Sequence, residues 1–173
     1  MALRSGNTAD IHRHIFVMEN MLKDSDKPPV FALLMFAKFG ILMQNNEIAV
    51  ESTRKVIELM PNCSAAIFLS GVLEEQPSER MGRDNFEAYL QKMETTMNNA
   101  IEADPNSWEP YRMLAKMQLN KQNVQEAIKF YDQALELARW KDEIKILLKE
   151  KLFIEMEEKR RKNKKLPKRL ATV

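Results

Sequence analysis

The chain has 173 residues, of which 45% are apolar, and this is enough for one compact domain with a hydrophobic core. Only four glycines and seven prolines interrupt it, a composition that favours an all-α fold, and the single cysteine excludes an internal disulfide framework. The net charge of +2 conceals an asymmetry. Residues 159–173 carry eight bases and no acid, which leaves 19 bases against 25 acids, a net charge of −6, on residues 1–158.

The first predicted element is an N-terminal helix, because apolar residues recur there at helical spacing, at Ile11, Ile15, Met18 and Leu22. No apolar stretch followed by a small-residue cleavage site opens the chain, so we expect neither a secretory signal nor an N-terminal anchor. The longest apolar run, residues 30–43, contains Lys38 and is shorter than the roughly 20 residues that span a bilayer. It predicts a core helix, and we expect no transmembrane segment in this chain.

The clearest pattern is LAKMQLNKQNVQEAIKFYDQALELAR, residues 114–139. Two apolar stripes separated by NKQN predict a hairpin of two helices, at about residues 107–120 and 123–138. Asn106 or Ser107 is expected to cap the first helix, and Pro110 fits its first turn. Ala115 and Ala127 are small, which allows two antiparallel helices to approach closely.

Residues 108–141 resemble the tetratricopeptide repeat (TPR), a helix-turn-helix unit of 34 residues. The positions that carry the resemblance are Tyr111, Leu114, Ala115, Ala127, Phe130, Tyr131 and Ala134. Gln118 departs from it, because an aromatic residue is usual there. Arg139 also departs, because proline usually closes the unit. Without a proline at this position, the second helix can continue beyond the end of the repeat.

Earlier copies appear in the same register. Pro61 and Pro105 fall where a repeat closes, and their separation exceeds one repeat by the length of a polar insert at residues 77–86. The resemblance therefore implies a TPR-type right-handed superhelix, an α-solenoid of about three repeats at residues 30–63, 64–107 and 108–141. We expect residues 1–158 to form this single solenoid, with the N-terminal helix as one cap and residues 142–158 as the other. Apolar residues of the second cap, expected to lie on the last repeat, are Ile144, Leu147, Leu148, Leu152 and Ile154.

The concave face of such a superhelix is the expected functional surface, and the repeat register predicts the side chains that line it. They are Phe31, Leu34, Lys38 and Ile41 in the first repeat, Ala65, Phe68, Val72 and Glu75 in the second, and Glu109, Arg112, Lys116 and Leu119 in the third. Apolar residues exposed together in a groove are typical of a site for an apolar peptide face. The alternative is that several of them pack against neighbouring helices or the insert. Arg112 and Lys116, one turn apart, are candidates to grip a carboxylate, with a solvated pair as the alternative.

Residues 85–155 are similar to the C-terminal end of a narrower family, the 70-kDa TPR preprotein receptor of the mitochondrial outer-membrane translocase. The shared residues are Leu114, Ala115, Met117, Leu119, Glu126, Ala127, Ile128, Leu137, Ala138 and Arg139. The resemblance implies a cytosol-facing domain at the mitochondrial outer membrane that binds hydrophobic or amphipathic preprotein segments, with other translocase subunits as further partners. Docking of Hsp70 or Hsp90 tails is disfavoured, because Leu34 stands where such clamps place a base.

The basic tail, residues 159–173, includes Lys159, Arg160, Arg161, Lys162, Lys164 and Lys165. It suits nucleic acid, anionic lipid or simply a solvated helix end. The tail has no aromatic residue to stack on bases, which disfavours nucleic acid. The alternative to the receptor function is a TPR scaffold or co-chaperone adaptor whose tail binds nucleic acid or anionic lipid.

Sequence motifs give no support to an enzyme. His12 and His14 point to different helix faces, which is poor geometry for a shared metal. The sequence contains no Cys-x-x-Cys pair, phosphate-binding glycine loop or nucleophile elbow. We expect a non-enzymatic protein that uses no cofactor and no metal.

Overall fold

The structure, a computed structural model, describes residues 29–74 and 83–165 and, near the N-terminus, residues 13, 16, 17 and 20. All regular secondary structure in this part is α-helical, as predicted. The helices are α1 (Val30–Leu42), α2 (Asn46–Leu59), α3 (Ser64–Leu73), α4 (Arg83–Ala103), α5 (Glu109–Asn120), α6 (Val124–Leu137) and α7 (Lys141–Lys165). The predicted N-terminal helix lies outside the described residues. The contacts divide the chain into two compact units, residues 1–89 and 90–173.

The first unit contains a tight hairpin of α1 and α2. Gly40 lies where these helices approach most closely, because a Cβ atom there would be 2.8 Å from the backbone nitrogen of Ala49. Around this contact, Leu33 and Val56 form a buried cluster with Ala66 of α3. The absence of a side chain at Gly40 thus sets the spacing of the hairpin.

The turn between α1 and α2 has a left-handed residue that is not glycine. Gln44 has a φ of 56°, and the N–H of Asn45 donates to the Gly40 carbonyl at 2.8 Å. The Asn45 side chain then caps α2 by accepting from the Ile48 N–H at 3.2 Å. These bonds reverse the chain within three residues.

The second unit repeats this hairpin 78 residues later, with α5 and α6. Gln122 has a φ of 64°, and the Asn123 N–H donates to the Gln118 carbonyl at 2.8 Å. Position 118 carries a side chain where the first hairpin has glycine, and its amide oxygen accepts from the Asn123 side chain at 3.1 Å. Asn123 therefore makes no side-chain cap. Equivalent buried pairs are Phe36 and Leu114, Ala37 and Ala115, Gly40 and Gln118, Ala49 and Ala127, Thr53 and Tyr131, and Val56 and Ala134.

The start of α5 differs from the prediction. Neither Asn106 nor Ser107 caps it, since the position before the helix is Trp108, with no side-chain cap. The Ser107 hydroxyl donates instead to the Glu109 carboxylate at 2.9 Å. Pro110 lies in the first turn, as predicted.

The lack of a proline at Arg139 does not extend α6. The helix ends at Leu137, and Ala138 is extended, with φ −66° and ψ 129°. The Glu143 carboxylate accepts from the backbone N–H groups of Arg139 and Trp140, both at 3.1 Å, and so caps the start of α7. The capped start of α7 thus ends α6 in place of the expected proline.

One further boundary differs from that expected. The helix α4 begins at Arg83, so residues 83–86 of the predicted insert are helical, while residues 77–82 lie outside the described part. The last helix was expected to reach about Lys162, and α7 continues through this residue to Lys165, into the basic tail. Leu147 of α7 is fully buried against Ala115 and Tyr131, as a capping helix requires.

Candidate peptide-binding surfaces

A line of exposed side chains runs along α1 in the first unit. Phe31 is 75% exposed, Met35 40% and Leu42 63%, and Lys38 is exposed between them. Residues at this spacing lie on one face of a helix. We call these four residues the α1 stripe. Large apolar side chains exposed together in this way are typical of a binding surface.

The α1 stripe is rotated from the predicted groove. Phe31 and Lys38 belong to both, but Leu34 and Ile41 are half-buried, and Leu34 packs against the buried cluster of the hairpin. Met35 and Leu42 were missed. Because α1 is apolar on all sides, no periodic contrast in its sequence indicates which side remains exposed.

The helix α3 contacts α1 in the same unit and carries the second group of predicted residues. Ala65, Phe68 and Val72 are half-buried, and Glu75 lies outside the described residues. The structure thus places the predicted apolar residues on two adjacent helices, with the more exposed side chains on α1.

The two basic residues predicted to line the groove in the second unit, Arg112 and Lys116, contact a carboxylate of α7. The Arg112 guanidinium donates two hydrogen bonds to the Glu150 carboxylate, from Nε to Oε2 at 2.9 Å and from Nη2 to Oε1 at 2.6 Å. The Lys116 Nζ lies 3.7 Å from the same Oε1, and the Tyr131 hydroxyl donates to Oε2 at 3.2 Å. Arg112 and Lys116 therefore do grip a carboxylate, and this carboxylate belongs to the chain itself.

The protonation states in this cluster follow from the contacts. The hydrogen bond from Arg112 holds the pKa of Glu150 below its usual range, although partial burial opposes the shift. Burial and the nearby Glu150 carboxylate raise the pKa of Tyr131. At neutral pH, Glu150 is therefore a carboxylate acceptor, and Tyr131 keeps the proton that it donates.

The other two predicted residues of α5 have local roles. Glu109 is half-buried beside Ser107, and Leu119 packs against the buried cluster of the second hairpin. Lys116 is the most exposed of the four predicted residues in α5. Most of the side chains predicted to line the groove in this repeat therefore make contacts within the second unit.

The start of the basic tail continues α7 as an exposed helix. Lys159, Arg160, Arg161 and Lys162 are exposed; Arg160 pairs with a glutamate one turn earlier at 2.7 Å, and Lys162 pairs similarly at 3.3 Å. The backbone of Lys164 and Lys165 is helical, but their side chains lie outside the described part. The tail thus presents its first cations on a continuous helix.

Two apolar residues expected to pack on the last repeat do not. Leu147 is buried and Ile154 packs beside it, whereas Leu148 and Leu152 are exposed. Leu148 and Leu152 belong to a second apolar side of α7. The sequence pattern predicted that both sides pack on the last repeat, because the apolar residues of both sides recur at roughly helical spacing.

Within the described ranges, no group of three His, Cys, Asp or Glu side chains is placed to hold a metal ion. No helix in those ranges is both long enough and apolar enough to cross a bilayer.

Comparison with known proteins gives matches among solved structures only. No model of a protein family matches the chain, and no curated protein matches it. TTC0263, a TPR protein from Thermus thermophilus, aligns with a TM-score of 0.60 and 16% identity over 88% of this chain and 81% of that one. The type III secretion translocator chaperone SycD of Yersinia enterocolitica aligns with a TM-score of 0.55 and 14% identity over 81% and 92%.

The first TPR domain of human RPAP3 aligns with a TM-score of 0.54 and 15% identity over 78% of this chain and 95% of that one. An O-GlcNAc transferase from Thermobaculum terrenum aligns more weakly, with a TM-score of 0.48 and 20% identity over 62% of this chain, which spans 19% of the transferase. The narrower similarity to the mitochondrial receptor stays a prediction. At the first three TM-scores the likeness concerns the fold, and the chain has the all-α fold of TPR proteins.

Proposed function

We propose that the chain is a non-enzymatic protein-binding domain that holds a hydrophobic or amphipathic segment of another protein on the α1 stripe and the adjacent α3. At a finer level, we propose that this segment belongs to preproteins bound for import at the mitochondrial outer membrane, where other translocase subunits are further partners. The broader proposal is supported by the exposed apolar side chains of a TPR fold. The finer one is supported by the sequence resemblance of residues 85–155.

The observation that carries the proposal is the exposure of Phe31 together with Met35 and Leu42. The three side chains span twelve residues of helix, about 16 Å from the first to the last. This length matches about three turns of an amphipathic helix laid beside α1. Burying one side chain of this size contributes about 1.5–3 kcal/mol, so that two or three of them provide enough binding energy for a measurable peptide affinity after the cost of ordering the peptide.

A peptide titration tests the broader proposal. Labelled hydrophobic presequence peptides are titrated against wild type, Phe31→Glu and Phe68→Glu, with binding read by fluorescence anisotropy. Each variant places a carboxylate on the proposed surface, and we expect each to weaken binding at least about tenfold, which corresponds to about 1.4 kcal/mol. Val50→Glu is the matched control, since Val50 is an exposed apolar residue of α2 in the same unit. Equal affinity in all four proteins, or no binding by wild type, would contradict the proposal.

The finer proposal is tested in cells. The endogenous protein is crosslinked to its partners, and the cells are fractionated. Recovery with mitochondria and preproteins supports the import assignment, whereas recovery with nuclei and RNA would overturn it and leave the peptide titration unaffected.

A chaperone-tail adaptor is disfavoured by the second unit. Such an adaptor needs free cations to clamp a terminal carboxylate, and Glu150 already occupies Arg112 and Lys116. The scaffold alternative, with the basic tail as the binding element, makes a different prediction: deletion of residues 159–173 should abolish partner binding and its salt dependence, while Phe31→Glu should not.

A further inference from the structure

The helix α7 is apolar on two opposite sides, and only one of them is covered. Leu147 and Ile154 pack into the second unit. On the other side, Leu152 is 53% exposed and belongs to a row of apolar residues at four-residue spacing, and the neighbouring Phe153 is 65% exposed. The α7 patch consists of Ile144, Leu148, Leu152, Phe153 and Met156. A capping helix needs one apolar side only, so the second side calls for another explanation.

Cations line the same side of the helix. Lys141, Lys145 and Lys149 are also spaced by four residues, and they border the α7 patch. All three are exposed. Further along the helix, Lys159 is exposed too, while Arg160 pairs with Glu157. The α7 patch therefore has a row of lysines beside its apolar side chains and a further cation beyond its C-terminal end.

The shape of the α7 patch and the charges beside it indicate which kind of partner binds there. The residues that border the α7 patch all belong to α7, so that the patch is one convex helix face and lacks the second wall of a groove that accepts a helical peptide. A second copy of the chain would bring the lysines of one patch against cations of the other, in either orientation. A planar anionic surface needs no second wall and is complementary to a row of cations beside the apolar side chains.

We infer that α7 docks the chain on an anionic membrane surface, lying in the plane of the interface with the α7 patch in the headgroup region. Amphipathic helices that bind in this way combine Lys and Arg with exposed Leu and Phe. Each lysine close to an anionic leaflet strengthens binding about fivefold. The apolar side chains add a contribution that salt does not screen, while the charge contribution weakens with ionic strength. This site is separate from the α1 stripe and does not depend on the peptide proposal.

Vesicle co-sedimentation tests the inference with the full chain. Phosphatidylcholine vesicles with and without phosphatidylserine are titrated, and the bound fraction is measured at low and physiological salt. We expect binding only to the anionic vesicles, with a further loss as salt rises. Leu152→Glu should reduce the partition coefficient at least about tenfold, and Lys145→Gln about fivefold. Val50→Glu is the control, because it adds the same charge at a similarly exposed residue of the first unit.

Several results would overturn the inference. They are equal binding to neutral and anionic vesicles, no binding to either, and unchanged binding in Leu152→Glu. Binding of an acidic helical peptide or of RNA, lost in Leu152→Glu while vesicles fail to bind, would assign the patch to that partner instead. Circular dichroism verifies the fold of each variant, and Leu152→Ser serves as the second variant if the glutamate prevents folding. The peptide titration with Phe31→Glu remains a separate experiment, so failure of one proposal is distinguishable from failure of the other.

Discussion

Replacing Gly40 with alanine tests the close approach of α1 and α2. The added Cβ would lie 2.8 Å from the nitrogen of Ala49, and 3.0 Å from both the Ala49 Cβ and the Asn45 carbonyl oxygen. Two of these three atoms are backbone, so relief requires movement of α2 or its turn. Overpacking of this kind costs about 1–3 kcal/mol, and we expect the upper end of that range. Alanine recovers about 1 kcal/mol through its higher helix propensity, which leaves a net destabilisation of about 2 kcal/mol.

Thermal unfolding followed by circular dichroism measures this effect. For a chain of this size, a loss of 2 kcal/mol lowers Tm by about 4–8 °C. Gln118→Ala is the comparison at the equivalent position of the second hairpin. That position already has a Cβ, so the variant introduces no clash; it loses the hydrogen bond to Asn123, about 0.5–1.5 kcal/mol, and the packing of a buried side chain. An unchanged or higher Tm for Gly40→Ala would refute the reasoning, because α1 and α2 would then not be in contact at this residue.

Three further substitutions address the second unit. Ala127→Leu should cost about 1–3 kcal/mol by overpacking a fully buried position of the hairpin, and an unchanged Tm would contradict the repeat register. Leu147→Ala should cost about 2–5 kcal/mol, because it leaves a cavity where α7 packs on α6; a loss below 1 kcal/mol would mean that α7 is not docked. Glu150→Gln should destabilise by about 1–2 kcal/mol at pH 7, because it removes the charge that Arg112 binds. The folded-state pKa of Glu150 is lowered, so wild type loses this stabilisation as the pH falls through the carboxylate range, and the gap between wild type and variant should narrow on acidification. Urea denaturation at several pH values measures it, and a gap that stays constant with pH would contradict the assignment.

The hairpins could be predicted from the sequence because their determinants are local. Ala115 and Ala127 are small where two helices cross, and both are fully buried; the same spacing identifies Ala37 and Ala49 in the first hairpin, and both are fully buried there too. Helix ends were predicted less well, since the end of α6 depends on a glutamate one turn into the next helix. A capping glutamate of this kind leaves no apolar pattern in the sequence. It is recognised only when the end of one helix and the start of the next are considered together.

The candidate surfaces were predicted only in part, for a physical reason. Sequence spacing indicates which residues share a face of a helix, but a helix that is apolar on every side gives no sign of which face is covered. This is why Met35 and Leu42 were missed on α1. The fate of Arg112 was missed for another reason: its partner Glu150 lies 38 residues away, and long-range ion pairs leave no trace in local spacing.

The two turns with left-handed glutamines have a consequence for engineering. Gln44 and Gln122 adopt nearly the same backbone conformation, and each turn closes on hydrogen bonds to its own preceding helix. The backbone hydrogen bonds of each turn stay within its own hairpin, although the Lys121 side chain also pairs with Glu94 of α4. The three-residue segments 43–45 and 121–123 should therefore be interchangeable in backbone conformation, with the loss of this one ion pair. Glycine in place of either glutamine would remove the strain that a side chain causes in the left-handed region, about 1–2 kcal/mol, at the cost of a more flexible unfolded chain. The turns are therefore suitable sites for inserting an extra helix or for transplanting one hairpin into a protein of the same fold.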